Sequence, residues 1–146
     1  MAKRDRIDDI VDIVLPMPAP LPEHADEHDR DGHGAWCDQV TGQRRDFEEN
    51  LRFSEEHSDS YVDPLLEEIH RARQAMLEAE ARMRLLVAYG REFITPQPYP
   101  LKDLAAATGM SISGIRSAYT VEEIATVARR IGRQPRPRTS DTGTAS

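Results

Sequence analysis

The clearest pattern in the chain lies between residues 63 and 95, where apolar residues recur alternately four and three positions apart. The residues in this pattern are Leu65, Ile69, Ala72, Met76, Ala79, Met83, Leu86, Gly90 and Phe93. This is the spacing of a coiled-coil seam over about four heptads. The pattern therefore predicts one long helix with an apolar stripe along one side.

Both ends of this helix carry local signals. Asp63 is a good N-cap, Pro64 suits the first helical position, and acidic residues follow in the opening turn. Thr95 precedes Pro96, which pushes Thr95 away from helical geometry. We expect the helix to start after Asp63 and to run to about Ile94.

The stripe has two possible partners. A second copy of the chain would form a homodimer through Leu65, Ile69, Met76, Met83 and Leu86. Alternatively, the helix belongs to an intramolecular core and packs on the helices that follow it. Ala, Met and Gly weaken the seam as a zipper, and the apolar face is widened by Leu66, Leu77 and Val87. The sequence leaves both interpretations open.

Residues 96–133 are predicted to contain shorter helices. The first spans about two turns, with an inward face formed by Leu101, Leu104, Ala105 and Thr108. Gly109 can end it, because glycine adopts positive φ at little cost. Ser111 is placed to cap a second helix. The expected core residues of that helix are Ile112, Ile115 and either Ala118 or Tyr119.

Residues 1–62 are predicted to form a largely disordered acidic arm with one short helix. The apolar stripe of that helix is Ile7, Ile10, Val11 and Val14. A helix this short needs a partner, either a groove on another protein or the long helix of this chain. The rest of the arm is proline-rich or highly charged and has little to bury. It is a solvated tail, a screen for the basic end of the chain, or a face for a basic partner.

The net charge of -7 is unevenly distributed. Residues 1–63 carry 7 Lys and Arg against 17 Asp and Glu, whereas residues 96–146 carry 7 against 4. A phosphate backbone responds to the local charge rather than to the total. The acidity of the chain therefore does not exclude nucleic-acid binding by its C-terminal part.

The composition favours a small cytoplasmic protein without catalytic function. The chain has no run of eighteen apolar residues, so no membrane partner is expected, and its single cysteine, Cys37, excludes an internal disulfide. Neither a phosphate-binding glycine loop nor a hydrolase nucleophile motif is present, and the carboxylates form no convincing catalytic pair. We expect no enzymatic activity and no cofactor.

One group of residues has the side chains of a zinc site without its spacing. His24, His28, His33 and Cys37 are separated by four, five and four residues, which matches no compact zinc-binding pattern. A mobile arm also cannot hold a cysteine and a histidine at the roughly 3 Å that nucleophilic catalysis needs. We expect no bound metal here.

The segment LKDLAAATGMSISGIRSAYT, residues 101–120, resembles the helix-turn-helix of bacterial DNA-binding regulators. The resemblance depends on a small residue at its fifth position, a glycine at its ninth and apolar residues at its fourth, tenth and fifteenth: Ala105, Gly109, Leu104, Met110 and Ile115. Residues 64–133 as a whole resemble the sigma-factor region-four type of this motif in small regulators of high-GC bacteria. An all-α fold is implied, with a long helix followed by a helix-turn-helix bundle.

This resemblance implies sequence-specific binding to double-stranded DNA as a transcriptional regulator, with the second helix of the motif in the major groove. Arg116 would read a base, because a guanidinium pairs with guanine O6 and N7, and Lys102 would contact a phosphate. The other expected DNA contacts are Ser111, Ser113, Gly114, Ser117, Arg129, Arg130 and Arg133.

The predicted domains are an acidic arm at residues 1–62, a long helix at 63–95, a helix-turn-helix domain at 96–133 and a flexible tail at 134–146. An alternative function is that of a protein-interaction adaptor, which would bind RNA polymerase or a sigma factor through the acidic arm. A structural homodimer without a ligand is a third interpretation.

Overall fold

A computed structural model of the chain describes residues 3–57 and 63–138. Within these ranges all regular secondary structure is helical. The helices are α1 (Arg6–Val14), α2 (Glu27–His57), α3 (Pro64–Glu92), α4 (Leu101–Thr108), α5 (Ile112–Arg116) and α6 (Val121–Ile131). The all-α class is therefore confirmed. The chain divides into an N-terminal unit, Met1–Arg73, and a C-terminal unit, Gln74–Ser146, so that the division falls within α3. None of the described helices is long and apolar enough to cross a bilayer.

The N-terminal unit differs from the largely disordered arm predicted for residues 1–62. Glu27–His57 form one helix of 31 residues. Asp26 caps it, since its carboxylate accepts a 2.7 Å hydrogen bond from the backbone amide of Asp29. The buried residues of α2 are Val40 and Leu51. Two buried aliphatic side chains in a long polar helix give too weak a periodicity to be recognised in the sequence, which explains the wrong prediction.

The short helix α1 packs on α2. Ile7, Ile10 and Val11 are buried together with Leu51, and Phe47 packs against this cluster. The apolar face of α1 is therefore covered within the chain and not by another protein. The apolar face of α1 packs on α2, however, and not on the long helix, whose N-cap Asp63 is paired with Arg6 of α1 at 2.8 Å.

The proline-rich segment after α1 follows α2 back towards the start of that helix. The carbonyl of Leu15 accepts a hydrogen bond from the Arg44 guanidinium. Further along, the carbonyl of Ala19 lies 2.8 Å from Nε2 of His33. Because the α2 partner moves towards the N-terminus as the segment proceeds, the two run antiparallel. This part of the predicted arm is thus fixed along a helix.

The ends of α3 agree with the sequence to within two residues. Asp63 caps the helix, because its carboxylate accepts hydrogen bonds from the amides of Leu65 at 2.9 Å and Leu66 at 3.1 Å. The bond from Leu66 contributes most to a lowered pKa of the Asp63 carboxyl group. The helix ends at Glu92 instead of about Ile94.

The last third of α3 contributes to two buried clusters of the C-terminal unit. One comprises Val87, Ile115 and Ala118. The other comprises Ala88, Phe93 and Val127. Tyr119, between α5 and α6, packs against both. The intramolecular interpretation of the stripe therefore holds for this end of the helix.

Residues 133–138 are attached to the carbonyl end of α3, whereas the sequence predicted a flexible tail from residue 134. The backbone amide of Arg136 donates to the carbonyl of Glu92 at 2.7 Å, and its Nε donates to the carbonyl of Arg91 at 3.2 Å. The last carbonyls of a helix lack intrahelical partners, and cations near them are favourable. Residues 139–146 of the predicted tail lie outside the described residues.

Candidate nucleic-acid interface

The segment expected to bind DNA consists of α4, a tight turn and α5. After Thr108, Gly109 adopts a positive φ of 73°, which a glycine tolerates because it has no Cβ. The amide of Met110 then donates to Oγ1 of Thr108 at 3.2 Å. The chain reverses within three residues, and α5 begins at Ile112.

The inner face of this segment is buried around Ile115, whose exposed fraction is 0%. Leu104, Ala105 and Met110 pack against the same cluster, as the sequence predicted. The prediction for Ile112 was wrong: this residue was expected to face the core, but its side chain is 47% exposed. Met110 packs against the cluster around Ile115, while Ile112 stays outside it.

Two of the three serines predicted to contact DNA form hydrogen bonds at the two ends of α5. Oγ of Ser111 accepts a 3.0 Å hydrogen bond from the amide of Gly114. Oγ of Ser117 donates to the carbonyls of Ser113 and Gly114 at 3.2 and 3.3 Å. The hydroxyl of Ser113 lies 3.3 Å from that of Ser111 and is exposed. Ser113 is therefore the serine best placed for an external contact.

Gly114 has a local reason for lacking a side chain. A Cβ at this position would lie 3.1 Å from Oγ of Ser111 and 3.5 Å from Cβ of Met110. The sequence indicated a close approach of the backbone to a phosphate or to a neighbouring helix. The close neighbour is the capping side chain of its own turn.

The two cations of the segment face solvent. Lys102 on α4 and Arg116 at the end of α5 are exposed and form no hydrogen bond or ion pair within the described ranges. Other predicted cations do have intramolecular contacts: Arg129 donates to Thr126 at 3.3 Å, and the guanidinium of Arg133 lies 5.9 Å from the ring centre of Tyr89. Lys102 and Arg116 are therefore available to a ligand, as is Arg130, which is exposed and has no such contact within the described ranges.

Arg130 lies beside an apolar groove that the sequence did not indicate. The groove has a volume of about 290 Å³ and is formed by α3 and α6, with a lining of Arg82, Leu85, Leu86, Tyr89, Val127, Arg130 and Ile131. None of these residues comes from α4 or α5. The structure thus separates the predicted DNA contacts into one group on α4 and α5 and at the N-cap and C-cap of α5, and another on α6 and just beyond its C-cap.

One polar contact that sequence reasoning missed connects the turn before α6 to α3. The hydroxyl of Tyr119 donates to Oε1 of Glu92 at 2.9 Å. Burial, followed by this hydrogen bond, raises the pKa of Tyr119 to about 12. The two residues lie 27 positions apart, so helical periodicity gives no signal for the contact.

The acidic residues of α1 form ion pairs within the N-terminal unit. Arg52 contacts Asp5 at 2.8 Å and Asp8 at 3.3 Å, and Arg44 is paired with Asp12. The hydrogen bond from Arg52 lowers the pKa of Asp5 to about 2, and that from Arg44 lowers the pKa of Asp12. These carboxylates and the apolar face of α1 are thus engaged inside the unit, which weakens the adaptor interpretation.

The histidines and the cysteine of the unusual group lie on or near α2. Sγ of Cys37 lies 3.7 Å from Nδ1 of His33, one helical turn earlier. Within residues 3–57 and 63–138, no three His, Cys, Asp or Glu side chains converge as metal ligands. The geometry shows a thiol and an imidazole that are neighbours on one helix.

The predicted dimerisation residues remain accessible on α3. The exposed fractions are 41% for Leu65, 56% for Ile69, 61% for Met76 and 62% for Leu86, and Met83 is half-buried. The seam continues with Gly90 and Phe93, which are buried in the C-terminal unit. The open part of the seam therefore ends at Leu86.

No model of a known protein family matches the chain, and neither a curated protein nor a solved structure does. The function proposed for the chain therefore depends on the geometry and chemistry of its own residues.

Proposed function

We propose that the protein is a transcriptional regulator that binds double-stranded DNA sequence-specifically, with α4, Gly109 and α5 acting as a helix-turn-helix. The observation that supports this most strongly is the contrast between the two faces of the segment. Ile115 anchors the inner face in the core, while Lys102 and Arg116 stand exposed and unpaired on the described outer surface.

In this proposal, α5 enters the major groove. A helix of five residues is about 7.5 Å long, so it reaches only a few base pairs. Arg116 would pair with guanine O6 and N7, and Ser113 would donate to a neighbouring base or phosphate. The exposed Ile112 would contact a thymine methyl group, a role its predicted burial would have prevented.

The cations outside α5 would provide affinity rather than sequence preference. Lys102 lies near the start of α4, where its ammonium can reach a phosphate next to the groove. Arg129, Arg130 and Arg133 would add weaker, more distant phosphate contacts. Contacts of this kind make affinity fall steeply as salt concentration rises.

The proposal is tested in two steps. The protein first selects DNA from random fragments, and binding isotherms are then measured on the selected DNA. Arg116→Ala should weaken binding by roughly 1 to 3 kcal/mol and relax the preference at one base pair. Lys102→Ala should weaken binding to all sequences similarly and reduce the salt slope by about one. Arg45→Ala on α2, where the side chain is 72% exposed, is the matched control and should change neither quantity.

A variant Arg116→Ala that retained both affinity and base preference would show that α5 does not read the groove. Equal losses for Arg45→Ala and Arg116→Ala would mean that the effect depends on net charge alone. Either outcome would contradict the docking of α5.

A further inference from the structure

We infer that α3 pairs with α3 of a second copy of the chain in antiparallel orientation, with Met76 opposite Ala79 of the second copy. This goes beyond DNA binding and does not depend on it. Three features of the described residues support this pairing. They are the exposed face of α3, the sizes of the side chains that would meet at each level of the helix pair, and the charges beside those side chains.

From Ile69 to Leu86 the seam lies on a face of α3 that residues 3–57 and 63–138 leave largely uncovered. In the N-terminal unit, α3 faces α2 with other positions, since Pro64, Glu67 and Arg71 line a shared groove with Phe53 and His57. In the C-terminal unit, Val87 and Ala88 enter the core beside the seam, and the seam itself is buried only at Gly90 and Phe93. From Ile69 to Leu86 the seam positions are therefore open to a partner helix.

An antiparallel pair fills the layers of this seam evenly. With Met76 opposite Ala79, the same register places Ala72 opposite Met83 and Ile69 opposite Leu86. Two-fold symmetry repeats these three contacts, which gives six layers. Each methionine faces an alanine, and pairing large with small side chains is how facing helices fill the space between them.

A parallel pair would fill the same space unevenly. Each residue would then face its own copy, so that Ala72 and Ala79 would form two narrow layers on either side of a wide layer of Met76. Alternating gaps and crowded layers are unfavourable because unfilled volume and overpacking both destabilise. The composition of the seam therefore favours the antiparallel pair.

Charges beside the seam select one antiparallel register. The register given above brings Arg73 next to Glu80 of the second copy, twice by symmetry. Sliding one helix by a heptad would instead bring Arg73 to Arg73, or Glu80 to Glu80. Both of these shifted registers bring like charges together. The proposed register brings opposite charges together, so it is the most favourable of the three.

The structure also leaves these two charged groups available. Arg73 is exposed, and the side chain of Glu80 is 44% exposed although it is paired with Arg84. In a parallel pair the flanking partner of Arg73 would be Glu68. That side chain is only 10% exposed and lies 2.6 Å from Arg71. The accessible charges therefore agree with the antiparallel register.

Cysteine cross-linking distinguishes the two orientations. Ile69→Cys and Leu86→Cys are made separately in a full-length Cys37→Ser background, mixed, and oxidised across a concentration series. The antiparallel pair should give cross-links between the two variants but almost none within either variant alone. The reason is that positions 69 and 86 lie about 26 Å apart along a helix, beyond the reach of a disulfide.

Cross-linking within each variant and none between them would show a parallel pair and overturn the inference. Absence of any concentration-dependent cross-link, with both variants folded by circular dichroism, would show that α3 does not pair at all and would also overturn it. Since no DNA is present, neither outcome bears on the proposed function.

A charge exchange tests the register. Arg73→Glu and Glu80→Arg should each weaken self-association, measured by sedimentation, by roughly tenfold. An equal mixture of the two variants should recover wild-type association, because each chain then opposes glutamates to arginines. Both positions are on the surface of α3, so folding should be unaffected. A mixture that associates no better than the separate variants would contradict the register.

Discussion

The two units differ in how fully their charged residues are engaged. In the N-terminal unit, α1 meets α2 through a small cluster of Ile7, Ile10, Val11 and Leu51, and its carboxylates are paired with arginines around that cluster. In the C-terminal unit, two aliphatic clusters hold the helices together, and Lys102 and Arg116 remain unpaired on the described surface. The small core of the N-terminal unit is thus surrounded by ion pairs, whereas the α4–α5 segment leaves two cations without a partner among the described residues.

This difference determines which changes should destabilise each unit. A half-exposed ion pair contributes roughly 0.2 to 1 kcal/mol, whereas full burial of an isoleucine side chain contributes about 1.5 to 3 kcal/mol. The N-terminal unit should therefore respond more strongly to acid, and the C-terminal unit more strongly to changes in packing.

The largest effect should come from the core of the C-terminal unit. Ile115→Ala removes a fully buried side chain and should lower the free energy of unfolding of that unit by about 2 to 5 kcal/mol. Ile112→Ala, in the same helix but 47% exposed, should cost less than about 1 kcal/mol. Urea unfolding followed by amide resonances of α4 to α6 measures both. Equal losses would mean that the packing of α5 is misassigned.

Acid should release α1 before it disturbs the C-terminal core. The pKa of Asp5 is lowered to about 2 by its hydrogen bond from Arg52. A lowered pKa in the folded state contributes stability above the ordinary value near 4, and this contribution is lost as pH falls towards 2. Amide resonances of Ile7, Ile10 and Val11 should therefore shift over this range while those around Ile115 stay in place.

The control for the acid effect is Glu49→Gln, which removes an exposed carboxylate of α2 and should leave the transition unchanged. The double variant Asp5→Asn with Asp12→Asn should show much of the displacement already at neutral pH. If α1 resonances of the wild type remained constant down to pH 2, the ion pairs would not hold the helix.

Alkali should have its own effect on the C-terminal unit. The pKa of Tyr119 is raised to about 12 by burial and by the hydrogen bond to Glu92. Stability from the neutral phenol is fully present below pH about 10 and is lost as pH rises towards 12. Tyr119→Phe should cost about 1 kcal/mol at neutral pH and remove this loss, as measured by unfolding at a series of pH values. An unchanged alkaline profile would contradict the contact.

The smallest effect expected is that of the α5 cap. Ser111→Ala leaves the amide of Gly114 without its acceptor and should lower the stability of the C-terminal unit by about 1 kcal/mol. Ser113→Ala, two residues later and exposed, should change stability by less than about 0.5 kcal/mol. Thermal unfolding of the three proteins measures the difference. Indistinguishable midpoints would show that the cap is not formed in solution.

Elements with local signals were predicted correctly from the sequence. The start of α3 follows from Asp63 and Pro64, the end of α4 from Gly109, and the start of α5 from Ser111, because each signal acts within one helical turn. The helix α2 was missed because its stabilising contacts come from α1 and the proline-rich segment, at sequence separations that periodicity does not detect. Arg44, for example, contacts Leu15.

At the candidate interface, the sequence predicted which side chains are exposed but not all of the contacts that they make. The exposed positions of Lys102 and Arg116 follow from the helical pattern. Local rules also proposed Ser111 and Ser117 as contacts, although their hydroxyls bond to the backbone of α5. The groove beside Arg130 depends on how α3 and α6 meet, which no single stretch of sequence encodes.

DNA binding by this protein is best tested by recovering genomic DNA fragments with the purified protein across a salt series. The double variant Lys102→Ala and Arg116→Ala is measured in parallel. DNA binding through α4 and α5 predicts that the wild type enriches fragments sharing one sequence, with retention falling steeply as salt rises, and that the variant loses this enrichment. No retention by the wild type even at low salt, or the same enriched sequence with the variant, would contradict it.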